Sequence, residues 1–323
     1  MTFPEAGTCK KTVFRRSDYL APLPIPTGQK PGDSLGIIWR KNDTYMDIGS
    51  FTLSATIRLV WFQLLLFLGM GSLLKYLNID TYWMIWAAGL VGLCIALYFI
   101  APALRRPSPN PVRFNRHRRE ACVVRENGDY WFVPWEQVVA VATQASSMSQ
   151  GGKVTQGMLY IGLNNPLTVK KDNQNYLLGF YCGGGEPAMA LWECIRTYME
   201  VGPDAVVSIG TSRFTRTKGI FASYLDDLKE AAKRKGWFLT LLWDGFFGLF
   251  VFNVLLADYL ERKKLYPLPD LDHPDIIEWS KPLPPEQWAR PSAEFQAALA
   301  EYEARRVPSP GGQSAVTDAC RVR

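Results

Sequence analysis

Histidine is nearly missing from this chain of 323 residues: His117 and His273 are the two present, and they stand far apart. No two cysteines have CxxC spacing, since Cys9, Cys94, Cys122, Cys182, Cys194 and Cys320 are scattered. A zinc site and a disulfide framework are therefore not expected, and the cysteines suit a reducing compartment. A nucleophilic thiol needs a base within reach. His117 lies among arginines that disfavour its protonated form, so neither Cys182 nor Cys194 reads as catalytic. The stretch CGGGE, Cys182 to Glu186, lacks the Gly-Lys-Ser/Thr ending of a phosphate loop and reads as a turn. The first twenty residues carry no apolar signal-peptide core. These absences lead us to expect no enzyme activity, no cofactor and no metal.

What the chain does have is apolar length. TIRLVWFQLLLFLGMGSLL, Thr56 to Leu74, and TYWMIWAAGLVGLCIALYFIAPAL, Thr81 to Leu104, are each long enough to cross a bilayer. Tyr82, Trp83 and Trp86 supply an interfacial aromatic belt. The short link between the runs makes them a helical hairpin. A third run, Trp237 to Leu260, holds Asp244 and, nine positions later, Asn253. These fall on roughly opposite sides of a helix, which favours immersion over a surface-lying amphipathic helix. An acid at that depth should face protein. We expect Asp244 to make a polar contact with the hairpin, and the run to span rather than re-enter.

The net charge of +6 is modest, so its placement carries the information. Lys10, Lys11, Arg15, Arg16, Arg40 and Lys41 precede the hairpin, and Arg105, Arg106, Arg113, Arg116, Arg118 and Arg119 follow it. The tight loop has Lys75 against Asp80. The positive-inside rule puts both outer ends in the cytoplasm. The six arginines after the hairpin then need no nucleic acid to explain them, and they become candidate contacts for anionic lipid headgroups.

From Val112 to Cys182 the pattern alternates with period two. VRFN, REACVV, YWFV, EQVVAVATQ, GMLYIGL and YLLGFYC are predicted strands, with a hairpin turn at Asn127-Gly128. EPAMALWECIRTYMEVGP follows as a helix whose stripe of Ala188, Leu191, Trp192, Ile195, Tyr198 and Met199 would close over a curved sheet. Strands followed by one capping helix suit a pleckstrin-homology-like barrel, and FVPWEQVVAV resembles a strand pair of bacterial domains of that kind; an unrelated α+β sandwich fits the pattern as well. VRFNRHRREACVV, VPWEQVVAV and LWECIRTYMEVGP together resemble blocks of a bacterial membrane-protein family, domain of unknown function 6708. The resemblance implies no catalytic residues. It implies, by association, an immunity or accessory role beside type VI secretion effectors.

Trp192 and Arg196 are candidates for a partner-binding hot spot, with a core role for Trp192 as the alternative. Phe221 to Trp237 reads as an amphipathic connector, and GIIWR as an edge strand. The Pro-rich tail reads as a strap whose Trp279 and Trp288 dock on the parent protein, with a short helix capped by Ser292. The expected architecture is an α+β membrane protein: an N-terminal cytoplasmic segment (1–53), a transmembrane hairpin (54–104), a cytoplasmic β-rich domain with capping helix (105–203), a connector (204–236), a third membrane-embedded helix (237–260) and a tail (261–323). The expected function is a non-enzymatic protein-binding module of the bacterial inner membrane. The alternatives are an anionic-lipid sensor and a structural subunit of a membrane complex. Membrane lipid and one protein, a co-encoded toxin or effector, are the expected partners; nucleic acid is not.

Overall fold

The computed structural model describes residues 3–33, 35–49, 53–149, 152–165, 175–206 and 218–306. In chain order the main elements begin with β1 (Cys9–Lys11), β2 (Arg15–Ala21), β3 (Ile38–Lys41) and β4 (Tyr45–Ile48), then the long helices α1 (Leu53–Tyr76) and α2 (Tyr82–Arg105). There follow β5 (Val112–Asn115), β6 (Glu120–Val124), β7 (Tyr130–Pro134), β8 (Val139–Ser149), β9 (Gly152–Asn164), β10 (Asn175–Tyr181) and α3 (Gly185–Glu200). The remainder is helical: α4 (Ile220–Lys235), α5 (Trp237–Thr240), α6 (Val254–Leu265), α7 (Pro274–Trp279) and α8 (Ala293–Arg306). Two compact units emerge. One, the β unit, takes residues 1–50, 110–212 and 270–323; the other, the helical unit, takes 51–109 and 213–269.

The β unit holds two antiparallel five-stranded sheets, ordered β1-β2-β8-β9-β10 and β3-β4-β5-β6-β7. Period-two alternation explains the strands: Trp131 and Val133 of β7, and Leu178 and Phe180 of β10, point into the core. The Asn127-Gly128 turn joins β6 to β7, with Gly128 at φ +88° where a side chain would be strained. The expected stripe of α3 is buried throughout, and Trp192 stacks on Trp135 with centroids 5.3 Å apart. The segment before the first apolar run is part of this unit and not a separate domain. It supplies β1 and β2 to one sheet and β3 and β4 to the other, with β3 at the edge expected for GIIWR. The tail likewise belongs to it. Leu271, Ile276 and Trp279 pack with Cys122 and Phe132, and Phe295 of α8 is buried. Ser292 caps α8 by accepting from Phe295 N at 3.0 Å, as its position before the helix predicts.

One topological fact governs the rest. β4 and β5 are paired neighbours, with Asp47 opposite Arg113, yet α1 and α2 lie between them in the sequence. The helical hairpin is an insertion into a β-hairpin.

In the helical unit, α1 and α2 are long and apolar enough to cross a membrane. They approach closely because glycine faces the partner helix: a Cβ at Gly89 would sit 2.6 Å from Phe67 Cβ, and one at Gly71 would strike Trp86. The third apolar run is not the single helix expected. α5 continues into a π-helical stretch, Leu241–Val251, and α6 departs after a 66° bend. Asn253 makes the break. It takes a left-handed conformation (φ 45°), tolerable for asparagine, and its side chain accepts from Leu256 N at 3.3 Å to cap α6. Asp244 does not make the expected contact with the hairpin. Its carboxylate lies 2.6 Å from Lys235 Nζ at the end of α4, the connector helix that precedes the third run, and its carbonyl accepts from Tyr224 OH. The basic end of the connector helix neutralises the acid, in place of the hairpin contact expected from the sequence.

Candidate functional site

The arginine cluster of β5 and the β5–β6 turn was the sequence's most conspicuous polar feature, and the structure turns most of it inward. Arg113 is 3% exposed. Its Nε donates to Asp47 Oδ1 at 2.6 Å and its Nη2 to Asp47 Oδ2 at 2.8 Å, the bidentate geometry that favours arginine over lysine. The tail completes the arrangement: Asp270 accepts from Arg113 at 2.7 Å and Ser280 Oγ at 3.0 Å. Tyr45 lies under the guanidinium with its ring centre 3.8 Å away. Burial alone would lower the Arg113 pKa, but the hydrogen bond and charge of Asp47, followed by Asp270, outweigh it and raise the value.

Arg119 is equally committed. It takes a left-handed backbone (φ 52°), reaches both carboxylate oxygens of Glu200 at 2.9 Å, and touches Glu136 at 3.2 Å. Glu200 also accepts from Trp135 Nε1 at 2.7 Å. Arg118 donates to the carbonyl of Trp279, shared with Asn115. Arg116 lies 5.2 Å from the Trp288 ring and donates to Val201 O. His117 stacks on Trp288 at 4.2 Å, and its Nδ1 accepts from Leu283 N. Burial, then the Arg116 charge, lowers the His117 pKa, which keeps the ring neutral and able to accept.

This corrects the reading of the arginines as headgroup contacts. Arg113 and Arg119 are buried with carboxylates, and Arg116 and Arg118 hold backbone carbonyls. Arg105 and Arg106, at the end of α2, remain exposed. Counting positive charges beside an apolar run registers their sign and not their partners. Trp279 and Trp288 do dock on the parent chain. What the sequence did not reveal was the acids that receive the arginines, Asp47, Glu200 and Asp270, because each is remote along the chain.

The hot-spot pair is corrected as well. Trp192 is fully buried. Arg196 pairs with Glu193, whose other oxygen accepts from Thr27 N and Oγ1 at 3.1 and 3.0 Å, so the N-terminal arm lies over this part of α3.

Among the described residues no group of three or more His, Cys, Asp or Glu side chains could hold a metal ion. Burial pushes the thiols of Cys122 and Cys194 up to about 12, and that of Cys182 upward as well, so the thiolate form is disfavoured at all three. The CGGGE turn has a packing explanation. Gly157 of β9 lies against the backbone of Gly184, and Gly183 takes φ +76°.

No curated protein and no solved structure matches the chain. A family model described as "Family of unknown function (DUF6708)" matches residues 90–263. The match runs from within α2, through the arginine cluster and the capping helix, to α6, a little over half of the chain. With that coverage, and with the quoted blocks of β5–β6, β7–β8 and α3 inside it, the chain belongs to the DUF6708 family of unknown function.

Proposed function

We propose that this chain is a membrane-anchored, non-enzymatic protein-binding module of the bacterial inner membrane, with its β unit in the cytoplasm. The observation that carries the binding role is β10, an edge strand of its sheet. Its outward residues Leu177 and Tyr181 are 67% and 57% exposed. Large apolar side chains on a strand that has no further strand beside it among the described residues suit a protein that adds to the edge or packs on that face. The resemblance read from the sequence sharpens the partner to a co-encoded toxin or type VI secretion effector, for which this chain serves as immunity or accessory protein. The test is a pull-down from solubilised membranes of cells carrying the neighbouring genes. A specific partner that is lost from Leu177→Glu/Tyr181→Glu supports the reading; recovery of the same proteins by both chains rules out this edge.

The finer fold reading is pleckstrin-homology-like. β4 to β7 form a four-stranded meander, β8 to β10 a three-stranded one, and α3 follows. That order supports it, with β1, β2 and β3 as additions to the sheet edges.

Parity supports a re-entrant third segment rather than a spanning one. The β unit takes in residues 110–212 and again 270–323, so the chain leaves it and returns. A single crossing between would strand the tail across the bilayer from the sheet that Trp279 packs on. The bend at Asn253 gives such a segment its turning point. A reporter appended to the C-terminus is expected to give a cytoplasmic signal; a periplasmic signal would overturn both the parity argument and the docking of the tail.

A further inference from the structure

The tip between β1 and β2 reads KKTVFRR, from Lys10 to Arg16. Turn centres usually carry Gly, Asn, Asp or Ser, whereas this one carries Val13 and Phe14. They are 88% and 68% exposed, so neither contributes to the core. The tip is nevertheless well built. Thr12 N donates to Arg15 O at 2.7 Å, Arg15 N to Thr12 Oγ1 at 3.2 Å, and Ser146 N to Phe14 O at 2.8 Å. The backbone thus fixes both apolar side chains outward. Lys10, Lys11, Arg15 and Arg16 surround them and are exposed. Arg16 is held by Asp18 at 2.9 Å, and Lys10 lies 5.6 Å from the Tyr19 ring. Lys11 and Arg15 directly flank the turn.

We propose that this tip is a docking point for an anionic phospholipid surface, with Phe14 and Val13 entering the acyl boundary and the basic collar meeting headgroup phosphates. Charge complementarity selects the occupant. An aromatic wedge within a ring of cations matches a layered partner that is anionic outside and apolar beneath, which is the order of a bilayer surface. A tip this small binds weakly alone. The β unit, however, is joined to α1 and α2 through both β4 and β5, and a tether raises the effective concentration of a weak second contact. The proposal rests on the membrane anchor and is independent of any protein partner.

The test uses the full chain with Phe14→p-benzoylphenylalanine, reconstituted into vesicles of phosphatidylcholine alone or with phosphatidylglycerol. Flotation is scored first, then photo-crosslinked lipid by mass spectrometry. Each basic residue near an anionic surface is worth roughly a factor of five. Lipid adducts are therefore expected mainly in the anionic vesicles. Lys11→Gln/Arg15→Gln should cut the anionic preference about twenty-five-fold, and high salt should weaken it as well. The same probe at Val13 should behave alike, and neither exposed position disturbs the core. Equal adducts in both vesicle types, adducts only to protein, or no adduct in chains that float would each overturn the tip proposal alone. Failure to float would instead overturn the anchor, and the proposal with it.

Discussion

Asp47→Ala is expected to destabilise the β unit by about 3–5 kcal/mol, the cost of leaving a buried charge without its partner. Asp47 is fully buried and faces Arg113 directly across the β4–β5 pair. Arg40 adds a second cation at 3.3 Å. Without the carboxylate, two guanidinium groups share Asp270, whose side chain is half exposed. Asp47→Asn keeps the shape and loses the charge, so it should fall nearly as far. The double change Asp47→Ala/Arg113→Met should recover much of the loss, because removing both charges removes the burial penalty. Denaturant unfolding of purified protein in detergent reads these values. A single-variant loss below about 1 kcal/mol would place the pair with ordinary surface ion pairs and refute the assignment.

Gly157→Ala is expected to cost about 3 kcal/mol, at the upper end of the overpacking range. An added Cβ would lie 2.0 Å from Gly184 O and 2.1 Å from Gly184 C, and backbone cannot rotate aside as a side chain can. The strand or the turn must shift, and the turn launches α3. Cys182 N donates to Gly157 O at 2.8 Å, so either movement also breaks a hydrogen bond. Gly162→Ala on the same strand is the control: its Cβ would meet Val139 at an ordinary 3.6 Å. Similar losses for both would mean that glycine in this strand matters through backbone entropy rather than through close approach to the turn.

The legible parts of the fold were the local ones. Two long apolar runs, the alternation of YWFV and YLLGFYC, the Asn127-Gly128 turn and the stripe from Ala188 to Met199 each lie within twenty-five residues. β4 was harder because it is short and pairs with β5 across an insertion. Asp47 meets Arg113 from the far side of two long helices, and no window contains both. The third apolar run misled for a different reason. Hydropathy measures greasiness and not continuity, so Asn253 read as a polar position on a helix when it is the residue that breaks it. The arginines misled because a topology rule and a buried ion network draw on the same residue type. For Trp192 the sequence carried both readings, and packing against Trp135 decided for the core.

The insertion of the helical hairpin between β4 and β5 sets an order for assembly. β4 is synthesised before either long helix, and β5 after both, so under the proposed membrane anchoring the sheet closes only once the hairpin has gone in and come back. Bringing the two strands together costs loop entropy that only a correctly returned hairpin recovers. A chain whose second helix failed to insert would hold β4 and β5 on opposite sides of the bilayer, each with a raw edge of the kind that chaperones and proteases detect. Asp270 and Ser280 arrive later still and close on Arg113. Under the proposed topology the sheet therefore acts as an inspector of its own anchor: it is completed only in molecules whose two long helices have both inserted, and the segment that carries Asp270 and Ser280 fastens the result.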